Sequence, residues 1–534
     1  MAFRLTALIR NFSMRAGGLA ILSGVLLALA FPEFDVWPLL WIGFVPLFLA
    51  WEGLSYRGLY GTSVLAGAVM IWIAYPWIGY LAQVFMKLPP PLNWLIWLMS
   101  GMVIGQIFGI AALLTEYLRR HTPIPWIVIW PTALSVIWSV FPNLFYFNLA
   151  NAAHSIPTAL QATSFTGVFG LDWMIGLTNA SIYVLIRWKH VHTALWRRLV
   201  AWPLIGLWFA FGAFSLAQWD EAISGWETKK VGLVQTHRES SFKRLPPEDG
   251  HTRLYPVEIM ISQDLAKRGA DVVVWPEGHK FGYFYRQEIR NAFHQYAKEM
   301  NMPMVIHDKG REDRLIAGAP KASRNSAILI QADGTYGGIY HKRYLVAFGE
   351  YYPFEEYYQP IKKALGIGRG LTAGEHVITF EAAGMKIQPL ICYESMFSSF
   401  TAKSLEEDGK GRVIFYQSND GWYGQGAQTA QHRSSSVLRA VENRVPVAHV
   451  INDGQSHVIN PNGRYAFLAP HWERGGYLAE MPYDAESGGS FFTRHPYWFM
   501  TMLWTAFMVW LGIALKRRRS SSASGATEAQ RFEL

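Results

Sequence analysis

Apolar residues gather in long blocks over the first two-fifths of the chain, give way to short patterned stretches over the next half, and return as a block once near the end. Eight blocks stand out, at residues 16–31, 36–51, 58–85, 92–114, 124–145, 168–186, 199–216 and 497–515. A helix needs ~20 apolar residues to cross the hydrocarbon of a bilayer, so these blocks predict eight transmembrane helices. The first two are short and read as a tilted pair joined by the turn Phe31-Pro32-Glu33-Phe34-Asp35. Between residues 220 and 494 the pattern changes. Strands are expected at 231–235, 270–275, 304–307, 326–331, 377–392 and 412–417, with a closing pair across 447–460; helices are expected at 256–267, 287–299, 397–407 and 427–444. Such alternation predicts a layered α/β domain whose helices cover mixed sheets.

Charge then orients the blocks. Cytoplasmic loops of membrane proteins retain Lys and Arg. Taking alternate loops places Arg4, Arg10 and Arg15, then Arg57, then Arg119 and Arg120, then Arg187, Lys189, Arg197 and Arg198, and finally residues 516–519 on one side, with only Lys87 on the other. Seven spans therefore carry the chain out of the cytoplasm and the eighth returns it. In a bacterium the domain between them lies on the periplasmic face of the inner membrane. The expected division is seven helices in residues 1–219, the α/β domain in 220–494, the last helix in 495–516, and a basic, Ser- and Ala-rich disordered tail in 517–534. The first thirty residues also resemble a signal peptide. Of the polar residues inside blocks, Asp172 is expected to reach water near the outer end of its span and Gln106 to bond to a neighbouring helix.

Composition changes little in this picture. The chain is 51% hydrophobic and 16% charged, as a membrane protein should be. Its net charge of +9 is spent beside apolar blocks and forms no aromatic-interleaved stripe, so no nucleic-acid partner is indicated.

The candidate chemistry lies where apolar strands end. Lys386 to Ile391 forms an alternating run that stops at Cys392, the only cysteine in 534 residues, which excludes a disulfide or a multi-thiolate metal site. A lone thiol is either a nucleophile or a buried small hydrophobe. Val272-Val273-Val274-Trp275-Pro276 delivers Glu277 to a strand tip, where desolvation should raise its pKa toward a useful base; a helix cap or surface carboxylate is the other reading. Lys342 sits between a strand and an aromatic loop, and alone it reads as solvated. A thiol needs a base to take its proton and a cation to hold the resulting charge, and these three residues supply one of each. There is no His-Glu-x-x-His, and residues 366–370 lack the strand and lysine of a phosphate loop, so no metal or cofactor is expected.

Trp275-Pro276-Glu277, Tyr340-His341-Lys342 and Ile391-Cys392-Tyr393-Glu394, in that order on an α/β background, resemble the nitrilase superfamily. With the apolar blocks, the resemblance narrows to its membrane-integrated branch, the apolipoprotein N-acyltransferase family. It is carried further by residues 26–39, by Phe348-Gly349-Glu350-Tyr351, by Ser418 to Gly424, and by Gln431-His432 with Arg439 to Arg444. It implies a nitrilase-like αββα sandwich and a Glu277, Lys342 and Cys392 triad. It also implies a Cys392 thioester taken from a phospholipid acyl donor, with the α-amine of a diacylated lipoprotein as acceptor. Lys342 and the backbone N–H of Tyr393 would hold the oxyanion, Glu350 and Glu394 would orient Lys342 and the amine, and Phe348, Trp422 and Tyr423 would line the lipid entry. The chain departs from the pattern at Gly278 to Tyr283 and at Gln235 to Arg238, both expected at the pocket mouth. Three alternatives stay open: a membrane enzyme acylating some other amine, a membrane-tethered amidase that gives the acyl group to water, and a catalytically silent binding protein.

Overall fold

The computed structural model describes residues 14–85, 87–187, 199–241, 244–278, 280–315, 318, 321–353, 357, 370–406 and 408–523. Arg4, Arg10, Lys189, Arg197, Arg198, His279, residues 366–369 and the 524–534 end of the tail lie outside them.

The N-terminal apolar blocks fold into α1 (Met14–Ala30), α2 (Val45–Trp51), α3 (Tyr56–Ala74), α4 (Trp77–Phe85), α5 (Leu92–His121), α6 (Trp126–Val140), α7 (Val168–Ile186) and α8 (Ala201–Ser224). The 58–85 block, expected as one span, is two helices. Pro76 has no N–H to continue the ladder and disfavours the helical region for Tyr75, whose φ and ψ are −126° and 47°. The 36–51 block is likewise divided, into a 3-10 turn at Trp37–Trp41 and α2. Between α6 and α7 the chain makes short turns at Leu149–Ala153, Pro157–Leu160 and Thr163–Thr166 that the apolar pattern did not announce. Those turns explain Asp172. It is buried rather than wet, accepting from Asn148 Nδ2 at 2.6 Å and Ala150 N at 2.7 Å. Gln106 of α5 accepts from the Tyr60 hydroxyl of α3, an interhelical bond.

The rest of the chain builds β1 (Glu227–Gln235), α9 (Val257–Lys267), β2 (Val272–Val274), α10 (Gln287–Met300), β3 (Met304–Arg311), β4 (Ser323–Ile330), β5 (Tyr336–His341), β6 (Phe380–Ala382), β7 (Met385–Ile391), α11 (Ser398–Ser404), β8 (Arg412–Ser418), α12 (Ala427–Asn443), β9 (Val447–Ile451), β10 (His457–Ile459), β11 (Tyr465–Leu468), β12 (Gly475–Tyr483) and the C-terminal α13 (Trp498–Ala523). The 377–392 segment, expected as one strand, is the hairpin β6–β7, turning at Ala383 and Gly384, both at positive φ. α8 runs past the expected 219 boundary to Ser224. The helices α3, α5, α7, α8 and α13 are long and apolar enough to cross a membrane; α1, α6 and the 37–51 pair are shorter apolar helices.

Two six-stranded sheets, ordered β12-β1-β2-β3-β4-β5 and β11-β10-β9-β8-β7-β6, form the domain. Each has three parallel strands at its centre, β1-β2-β3 and β9-β8-β7. Period-two alternation sorts the side chains of the first sheet. Val231, Leu233, Val272, Val274 and Val305 enter the larger core, while Val234, Val273, Met304 and Ile306 pack on α9 and α10.

The membrane helices and the domain share α12, which is buried along nearly its whole length because the second sheet covers one side and the apolar helices the other. A helix so placed needs polar partners on both sides, and its sequence supplies them. Gln431 accepts from Trp77 Nε1 at 2.9 Å and donates to the carbonyls of Ala74 and Pro32 at 2.6 and 3.0 Å, the first left free where α3 stops and the second in the turn after α1. Glu442 accepts from Val168 N at the start of α7, Ser434 and Ser435 accept from Asn151 Nδ2, and just past the helix Arg444 donates to Gln161, Ser164 and Ser215.

Candidate active site

Three strand ends meet at one edge of the sandwich. β2 ends at Trp275-Pro276 and presents Glu277, β5 ends at His341 and presents Lys342, and β7 ends at Ile391 and presents Cys392. Glu277, Lys342 and Cys392 are 3%, 1% and 5% exposed. The Lys342 ammonium lies 3.9 Å from Glu277 Oε1 and 2.9 Å from Glu350 Oε2, and the charges of Glu277 and Lys342 both act on the Cys392 thiol. Trp275 is fixed from the opposite sheet, since Gln417 of β8 donates to its carbonyl at 2.8 Å.

Cys392 has φ of +51°, in the left-handed region that a residue with a β-carbon occupies only when its surroundings enforce it. The enforcing contacts are visible. Ile391 N donates to Glu394 Oε2 at 2.7 Å, and His432 of α12 reaches the Cys392 carbonyl and Ser395 Oγ at 3.3 and 2.8 Å while its other nitrogen meets Asp420 at 2.8 Å. Burial pulls the His432 pKa down, but the Asp420 carboxylate outweighs it and the net direction is up. Glu394 neither hydrogen-bonds nor ion-pairs with Lys342: its Oε1 accepts from Tyr340 OH and from the backbone N–H groups of Arg343 and Tyr344, so it clamps the turn after Lys342 to the turn holding Cys392. Glu350 does contact Lys342, and its Oε2 also accepts from Val346 N at 2.9 Å.

The expected upward shift of Glu277 is reversed. Burial does push its carboxyl up, but the ammonium groups of Lys342 and Lys309 and the amide of Asn325 outweigh burial and hold it well below the usual carboxylate range. Burial and the Glu277 charge push the Cys392 thiol well up, against the pull of Lys342. Lys342 is raised: burial lowers it, but Glu350, Glu277 and Cys392 prevail. The resting site thus holds an ionised Glu277, an ammonium and a neutral thiol. Moving the thiol proton to Glu277 removes the charge that opposes the thiolate and leaves the total charge unchanged, so the two groups titrate as a pair.

Asn325, His307 and Lys309 were missed from the sequence. Asn325 Nδ2 donates to Glu277 Oε1 and to Glu350 Oε1, both at 2.7 Å, bridging the two carboxylates. Its Oδ1 lies 2.5 Å from His307 Nε2, and Gly278 N donates to His307 Nδ1, which assigns the proton of His307 to Nε2. Burial pushes His307 down to about 3, so the ring is neutral. The signal was alternation: the strand expected to end at His307 continues to Arg311, and period two carries Val305, His307 and Lys309 to the inner face.

An apolar cavity of about 210 Å³ opens between the helices and the domain, and Val346 in its wall donates its N–H to Glu350. Its wall is built from α3, α4, α5 and α6, through residues such as Ile71, Leu81, Ile104 and Trp138, and from the loop Val346 to Gly349. Phe348, at φ +64° and 52% exposed, and Tyr423 line it; Trp422 is buried and does not. Among the described residues no cluster of His, Cys, Asp or Glu is arranged to hold a metal ion.

Residues 216–486 match the carbon-nitrogen hydrolase family, and residues 23–181 match the apolipoprotein N-acyltransferase N-terminal domain. The chain is 27% identical to an apolipoprotein N-acyltransferase of Geobacter metallireducens over 89% of this chain and 91% of that one. It is 25% identical to that of Azotobacter vinelandii over 96% and 98%. An amidase from Nesterenkonia sp. superposes on 48% of this chain and 90% of its own with a TM-score of 0.33 and 15% identity.

Proposed function

We propose, from a chain that belongs to the carbon-nitrogen hydrolase family and carries the N-terminal domain of the apolipoprotein N-acyltransferases, that it moves a fatty acyl chain from a phospholipid to the α-amine of a diacylated lipoprotein. The observation that carries this reading is an apolar cavity walled by membrane-type helices and by Val346, whose N–H donates to Glu350, the carboxylate that holds Lys342. A soluble substrate needs no such cavity. A lipid does.

In the first half-reaction Cys392 Sγ attacks the ester carbonyl as its proton passes to Glu277. The S–C bond forms, and Lys342 with the backbone N–H of Tyr393 holds the oxyanion. The C–O ester bond then breaks, and Glu277 returns the proton to the departing lysophospholipid oxygen. In the second, the acceptor nitrogen attacks the thioester, gives a proton to Glu277, and the C–S bond breaks; the proton then returns to sulfur. Glu350 holds Lys342 in place, Glu394 holds the two turns, and Phe348 and Tyr423 line the lipid entry.

The eight apolar elements, with 37–51 as one and α3 with α4 as one, are the eight spans. Their charge supports the orientation. Arg57, Arg119, Arg120 and Arg187 sit at the helix ends remote from the α/β domain, where Arg120 stacks on Tyr56 at 4.8 Å and Arg187 pairs with Glu52 at 2.7 Å. Positive-inside retention then puts the domain on the periplasmic side of a bacterial inner membrane.

The test is intact-mass analysis of detergent-solubilised protein incubated with phosphatidylethanolamine, followed by addition of a diacylated lipopeptide. An acyl adduct on Cys392 should appear and pass to the peptide amine, and Cys392→Ala should form none. Release of free fatty acid in place of acylated peptide would leave the amidase reading standing, and no adduct at any time would end the covalent mechanism.

A further inference from the structure

Lys309 has no part in the mechanism above, yet its ammonium is 3.2 Å from Glu277 Oε1, nearer than that of Lys342 at 3.9 Å. Its place follows from register. β3 and β4 run antiparallel with Lys309 opposite Asn325, and cross-strand partners on one face lie close enough to share a target. Both reach the same carboxylate oxygen, Lys309 by charge and Asn325 by its amide at 2.7 Å. The two lysines differ in their surroundings. Lys342 is 1% exposed and held by Glu350, whereas the Lys309 side chain is 16% exposed and its ion pair is with Glu277.

We propose that Lys309 is a second cation dedicated to Glu277, a positioning residue that sets the acid boundary below which the Cys392 thiol cannot be activated. Activation requires that the pair formed by Glu277 and Cys392 carry one proton, so that the carboxylate can take what the thiol releases. Below the boundary both groups are protonated and no base remains. The groups that act on Glu277 are Lys309 and His307 from β3, Lys342 after β5, Cys392 after β7, Asp420 and Tyr423 after β8 and His432 from α12, with Glu350 linked through Asn325. His307 is neutral, and Lys342 is shared with Glu350. Lys342 is the larger charge on Glu277 but also holds Glu350, so Lys309, whose ion pair is with Glu277, is the cation whose removal acts on Glu277 without releasing a second carboxylate, and burial is then less opposed.

The sign follows. Removing the cation makes the negative form of the pair less favourable, so its first proton is lost at higher pH. An opposite charge at this distance shifts a carboxylate by about one to three units. The plateau above the boundary should not fall, because a less stabilised carboxylate accepts the thiol proton more readily.

The chain's single cysteine makes this measurable without any lipid. The rate of Cys392 alkylation by iodoacetamide, followed by intact mass between pH 2.5 and 9, should show an acid limb low in that range in the wild type, because Glu277 is held well below the usual carboxylate range, and about one to three pH units higher in Lys309→Met. Lys309→Arg should restore the limb, and Glu277→Gln should abolish it. An unmoved limb in Lys309→Met, or a lowered plateau that Lys309→Arg does not recover, overturns the assignment. The proposal rests on Cys392 being the activated nucleophile of the reading above. Its failure is separable from that of the lipid substrate, because a protein that shows the limb shift yet forms no lipid thioester refutes the substrate alone.

Discussion

Glu350→Gln isolates what holds Lys342. Both oxygens of Glu350 accept, Oε1 from Asn325 and Oε2 from Lys342 and Val346 N, so an amide at this position must set a donor against a donor whichever way it turns. It also removes a charge 2.9 Å from an ammonium that is 1% exposed. With an effective dielectric of ~20, that contact is worth about 6 kcal/mol, against about 4 kcal/mol for the Glu277 contact at 3.9 Å. About 6 kcal/mol corresponds to about four pKa units. Because Lys342 starts well above the ordinary lysine range, it stays protonated at neutral pH in the variant. What changes is its partner. Released from Glu350, the ammonium closes on Glu277 by about 1 Å, and misplacement of that size costs about 10²-fold in rate. The assay is the rate of Cys392 thioester formation from phosphatidylethanolamine, by mass, between pH 6 and 9. The expected result is a drop of about 10²-fold or more with no new alkaline limb in that range. A wild-type rate would refute the positioning role of Glu350, and a new limb near neutral pH would refute the claim that Lys342 keeps its charge.

Two further outcomes test the setting of the site. Gln431→Leu removes three buried hydrogen bonds between α12 and the membrane helices and strands the Ala74 and Pro32 carbonyls, which should cost about 2–5 kcal/mol and lower the apparent Tm in detergent; an unchanged Tm would show that the junction does not depend on this residue. Ile104→Trp should fill the cavity from α5 and slow thioester formation from long-chain donors far more than from short-chain ones, and equal slowing of both would place the acyl chain elsewhere.

The sequence by itself determined what depends on local pattern. Runs of apolar residues must be hidden from water wherever the chain goes, so the blocks, the α/β alternation and their order were legible. So were the residues presented by strand tips, because a strand that stops at Pro276 or turns at Cys392 delivers the next polar side chain to an edge. Tertiary structure decided the rest. The pattern ends the strand bearing Lys309 at His307, four residues short of Arg311, and the alternation that carries Lys309 inward means little until Asn325 is known to lie across from it. Glu277 was read from burial alone, yet the sign of its shift is set by two ammonium groups from distant strands. Asp172 was expected to be wet because nothing local foretold the turns that bury it. α12 is an interior helix, its Gln431 meeting the carbonyl of Ala74, at the end of α3, some 350 positions away. A pattern along the chain records which side of an element is apolar; which charges face one another across elements is settled only when the chain is packed.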